Sequence, residues 1–78
     1  MIPVNVSARF RMDGEIIPEN FDWQGGTFPV VSTGRHWIDG KNYHILVMVP
    51  GDDVFELVIV PDEMQWYLGN LGNFRNTA

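Results

Sequence analysis

Residues 43–60 read YHILVMV-PGDD-VFELVIV, and the reading of this stretch decides the fold. Two runs rich in aliphatic and β-branched residues flank Pro50-Gly51-Asp52-Asp53, a turn composition, and together they predict a hairpin. Both arms are apolar on two faces. In the second arm Phe55, Leu57 and Ile59 share one face, while Val54, Val58 and Val60 surround Glu56 on the other. Strands of this kind sit centrally, with cover on both sides.

Working outward, period-two alternation continues. Val4, Val6, Ala8, Phe10 and Met12 alternate with Asn5, Ser7, Arg9 and Arg11, a half-buried strand that ends in the turn dipeptide Asp13-Gly14. Glu15-Ile16-Ile17 reads as a short return strand stopped by Pro18. Phe21-Asp22-Trp23 alternates and runs into Gln24-Gly25-Gly26, a turn. Residues 27–33 are rich in β-branched residues, with Pro29 marking an edge or an irregular start. Asp39-Gly40-Lys41-Asn42 is a further turn. Residues 61–71 admit two readings: a short helix begun by Pro61 and the acids Asp62 and Glu63, or a turn followed by a strand over 65–68 with Trp66 and Leu68 inward. The strand is favoured. Residues 69–78 are rich in Gly and Asn and read as a loose tail beyond a single β domain over 1–68. The expected fold is all-β: an antiparallel meander of five or six short strands, curled into a strongly bent sheet or small open barrel.

The chain has 78 residues, enough for one domain with a small core. That leaves little room for a deep, water-excluding active site. There is no cysteine, which removes disulfides, thiolate metal sites and cysteine nucleophiles, and favours a cytoplasmic home. The first ten residues have no basic stretch followed by an apolar one, so no signal peptide is expected. The longest aliphatic or Met run, residues 45–49, is far short of the roughly 20 apolar residues of a membrane span. Net charge is −5 with a single lysine, a poor balance for duplex DNA or for an anionic membrane surface. The imbalance sits in the second half, −4 over residues 45–78 against −1 over residues 1–44, so a local basic strip in the first half stays open.

Pro18, Phe21, Trp23, Gly25, Phe28 and Val30 form a P-x-x-F-x-W-x-G-x-x-F-x-V pattern, followed by Trp37, Phe55-Glu56-Leu57 and Trp66-x-Leu68. Over residues 1–68 this is similar to a group of small bacterial domains of unknown function, some of them encoded near mutagenic DNA-polymerase genes. The resemblance implies a small β fold and a link to nucleic acid, and it assigns no catalytic residue. The segment 34–42 is shorter and less basic here than in that group.

The candidate binding residues are Arg9, Arg11, Arg35, His36 and Trp37. Gly34-Arg35-His36-Trp37 combines cation, imidazole and indole, a set that stacks on a base or grips a carboxylate. The plainer reading is a loop whose arginine pairs with an acid. Val30 and Trp37 lie an odd number of residues apart, so either a bulge at Thr33-Gly34 re-aims the chain inward or Trp37 is exposed. Glu56, between apolar neighbours, calls for a cross-strand cation, with Arg9 or Arg11 as candidates. His36 and His44 match no standard metal spacing, and no triad, phosphate loop or nucleotide fingerprint is present, so neither enzyme, metal nor cofactor is expected.

If Phe10, Phe21, Trp23, Phe28, Val30, Ile45, Val47, Phe55, Leu57, Ile59, Trp66 and Leu68 fill one core, then Leu46, Met48, Val58 and Val60 form a second apolar face. Such a face marks an interface with a protein partner or a second copy. The leading expectation is therefore a non-enzymatic interaction module, and the rival is weak single-stranded nucleic-acid binding through Arg9, Arg11, Arg35 and Trp37.

Overall fold

The computed structural model describes residues 1–69. It is all-β: β1 (Ile2–Phe10), β2 (Ile16–Trp23), β3 (Gly26–Pro29), β4 (Ser32–Asp39), β5 (Asn42–Met48), β6 (Val54–Val60) and β7 (Gln65–Leu68). They form one antiparallel sheet in the order β3-β2-β1-β7-β6-β5-β4, curled into an open half-barrel. The loose tail expected over residues 69–78 lies, from residue 70 on, outside the described residues.

The 43–60 hairpin forms β5 and β6, with Val47 opposite Phe55 and Ile45 opposite Leu57. No α-helix follows: Pro61–Glu63 make a single 3-10 turn, ended by Met64 in the left-handed region (φ 52°), and β7 returns with Trp66 and Leu68 on the inner face. The strand count exceeds the expected five or six, and two corrections explain the boundaries. Pro18 does not stop β2. The register slips there, from Ser7 opposite Asn20 to Ala8 opposite Pro18, so the residue without an N–H sits at a bulge. The stretch 27–33 is not one strand. It breaks at Val30-Val31, and its second part runs on through Trp37 to Asp39 as β4.

That break curls the sheet. The Val30 N–H donates to the Glu19 carbonyl oxygen on β2, and the Val31 N–H donates to the Met48 carbonyl oxygen at the end of β5. Consecutive N–H groups of a strand point to opposite flanks. One bent segment therefore ties together the two outer ends of the sheet. Inside this closed end Phe21, fully buried, stacks on Phe28 at 5.5 Å and meets Phe55 edge-on at 5.5 Å, with Trp23 also edge-on to Phe55 at 5.5 Å. Phe21 on β2 and Phe55 on β6 are separated in the sheet by β1 and β7, so the aromatic cluster spans the curl. Val4, Ile45, Val47, Val49, Leu57 and Leu68 complete the core.

Phe10 was expected in that core and is instead 69% exposed. Of β1, only Ile2, Pro3 and Val4 pair with β7, so its far end continues with β2 as a two-stranded arm. Among the described residues, nothing comparable to the aromatic cluster covers its inner face.

Candidate functional site

β4 carries three of the five candidate binding residues, in a strand rather than a loop. Its register against β5 slips between Thr33 and His36, placing a bulge at Gly34-Arg35. The expected bulge exists, but a second break of alternation at Val30-Val31 cancels it. Trp37 therefore shares the outer face with its cross-strand partner His44, while His36 falls on the inner side opposite Ile45.

On the outer face four residues make a continuous stack. The Arg35 guanidinium carbon lies 5.4 Å from the Trp37 ring centroid, within cation–π range. The Trp37 ring stacks on His44 at 5.1 Å and 11°. His44 Nδ1 lies 2.6 Å from Glu56 Oε2, a contact between two nearly buried side chains. The other imidazole nitrogen, Nε2, is shielded from solvent and has no hydrogen-bond partner among the described residues. Gly69 fits tightly beside this pair: its N–H donates to the Glu56 backbone oxygen, and a Cβ there would stand 2.6 Å from Glu56 Oε1.

His44 thus takes the place expected of Arg9 or Arg11 beside Glu56. β1 is not adjacent to β6, because β7 lies between them. The signal was present in the turn: closing a hairpin on Pro50-Gly51-Asp52-Asp53 sets Leu46 opposite Glu56 and His44 one diagonal step away. Arg9 is held by Glu19 at 2.8 Å, and Arg11 lies 3.9 Å from Asp13. Both sit on the β1–β2 arm and do not join the Arg35–Trp37 stack.

The second apolar face is not bare. Val58 is fully buried between its cross-strand partners His44 and Tyr67, and Leu46, Met48 and Val60 are half-buried.

The more open feature is a seam beside β4. Asp39 and Asn42 close a two-residue turn at Gly40-Lys41, with Gly40 at φ 64°. The residues closing such a turn exchange hydrogen bonds, and hydrogen-bonded pairs alternate along the ladder. Asp39 and Trp37 therefore direct their N–H and C=O groups to β5, and His36 and Ile38 direct theirs to the other flank, which no described strand pairs. At the Val30-Val31 bend that flank turns toward β2. β3 covers β2 only from Asn20 to Trp23, so β4 and the first half of β2 diverge and leave a cleft. His36, Trp37, Ile38 and Tyr43 line one wall, and Asp13, Gly14 and Glu15 at the tip of the β1–β2 arm line the other. Ile38 is 72% exposed there. Burial and then the Glu15 charge raise the Tyr43 phenol above its ordinary pKa.

No known protein family, curated protein or solved structure matches the chain. Among the described residues no group of three or more His, Asp or Glu is placed to hold a metal ion, and no helix is long and apolar enough to cross a membrane.

Proposed function

We propose that the protein is a small non-enzymatic interaction module that receives an extended segment of a protein partner as an added strand along β4. The observation that carries this reading is the flank of β4 that no other described strand pairs: an edge strand of eight residues whose His36 and Ile38 backbone groups open onto a cleft. Exposed strand edges are templates for another strand, and main-chain hydrogen bonds then supply the affinity. The opposite lip offers less, since β2 carries Pro18, which has no N–H. The stack on the outer face fits a supporting role. It fixes Trp37, and through it the edge strand, against the β5–β6 hairpin. The ring nitrogen that a catalytic His44 would use is enclosed, which favours binding over catalysis.

Selection of extended peptides on the intact protein, followed by amide chemical-shift mapping, tests the proposal. Selected segments are expected to shift the His36 and Ile38 amides and to lose binding to Ile38→Pro. Shifts centred on Leu46, Met48 and Val60 would transfer the interface to the outer face. Binding of mixed-sequence single strands, with quenching of Trp37, would support the nucleic-acid alternative.

A further inference from the structure

The cleft beside β4 has a chemical bias, and it rests on the strand-addition reading above. Its β4 wall is apolar and aromatic, with Ile38 and Tyr43 beside His36, whose ring centroid is 5.8 Å from that of Tyr43. Its far wall is acidic. Asp13 is partly engaged, accepting a hydrogen bond from the Glu15 backbone N–H at 3.0 Å and facing Arg11 at 3.9 Å. The Glu15 carboxylate has no ion-pair or hydrogen-bond partner among the described residues. Glu15 and Tyr43 both line this cleft, and the Glu15 charge adds to burial in raising the Tyr43 phenol.

We infer that the seam selects a basic extended segment, with one Lys or Arg side chain of the guest lying between the Glu15 carboxylate and the rings of Tyr43 and His36. The geometry follows from strand alternation. A guest strand bonded to His36 and Ile38 turns every second side chain toward the interior of the half-barrel. The inward residue opposite Ile38 meets the Tyr43 level, because Ile38 and Tyr43 are cross-strand partners. A cation there gains the acid on one side and aromatic faces on the other. An acidic residue at the same position meets like charge from Glu15 and Asp13, which costs affinity and excludes the wrong guest. A second copy of this chain is disfavoured as the occupant, since both molecules would carry −5. A phosphate backbone is disfavoured by the same two carboxylates.

The experiment uses three extended peptides that share one sequence and differ only in the central residue: Lys, norleucine or Glu. Each is titrated onto the intact protein at low salt, with affinity and the His36, Ile38 and Tyr43 amide shifts as readouts. The Lys peptide is expected to bind at least about tenfold more tightly than the Glu peptide, with a preference that shrinks as salt is added. Glu15→Gln should cut that preference to within about threefold while leaving the spectrum of the free protein unchanged outside the arm and the facing Tyr43. Equal binding of all three peptides at His36 and Ile38 would overturn the basic guest and leave strand addition standing. Absence of shifts at His36 and Ile38 with every peptide would overturn both.

Discussion

The two ends of the seam between β2 and β4 are built from the same chain within a dozen residues, yet one is closed and the other open. At the closed end Val30 and Val31 bond to opposite sides of the curl, and Phe21, Phe28, Phe55 and Trp23 fill the space beneath. At the open end β3 no longer covers β2, and the side chains on the inner face of the β4–β5 hairpin are Ile38, His36 and Tyr43. Large rings bury enough surface to hold the sheet shut. Where they run out, the strand edge stays available. The lesson is that closure here coincides with both the Val30-Val31 backbone ties and the aromatic cluster beneath them, and the open end has neither.

The comparison is broken most severely by Phe21→Ala. Loss of a fully buried ring at the centre of the cluster should cost about 3–5 kcal/mol, read as a lowered urea midpoint, whereas Ile38→Ala at the open end should stay within about 0.5 kcal/mol. Equal effects would mean that the two ends are packed alike. Gly69→Ala tests the outer face instead. The new methyl meets the Glu56 carboxylate and should destabilise by about 1–3 kcal/mol. A neutral result would show that the His44–Glu56 pair has room to move.

Native-state hydrogen exchange sharpens the contrast further. The Val30 and Val31 amides, both bonded, should exchange only through large-scale unfolding, and those of His36 and Ile38 through local exposure. Similar protection at all four sites would contradict the hydrogen-bond phase assigned to β4. The smallest effect concerns Tyr43. Its phenol is raised in the folded state, so the stability tied to the neutral ring is complete below the ordinary value of 10.0 and is lost as pH rises through the folded value. Glu15→Gln removes the secondary cause and should lower the Tyr43 titration midpoint, followed by its ring resonances. An unmoved midpoint would place Glu15 away from the cleft wall.

Much of the architecture was legible in the sequence because period two and turn chemistry are local signals. The 43–60 hairpin, the first strand and the final Trp66-x-Leu68 strand all follow from alternation between turn residues. The site was less legible, for reasons of pairing. The outward placement of Trp37 depends on two irregularities that cancel, and each is defined only by the strand opposite. Phe10 looked like core because alternation reports which face a residue takes, not whether anything covers that face. Glu56 was correctly seen to need a partner. Choosing His44 over an arginine required knowing that β7 inserts between β1 and β6.

The bend at Val30-Val31 also sets an order of assembly. On either side of it lie two meanders, β1 to β3 and β4 to β7, each built from near-neighbour hairpins that close short loops at small entropic cost. They are joined in the sheet by β1 against β7, where Ile2 meets Leu68 from almost the full length of the described chain away. Contacts so distant in sequence are slow to find. The two meanders should therefore form first, with their docking, Phe21 arriving against Phe55, as the rate-limiting event of folding.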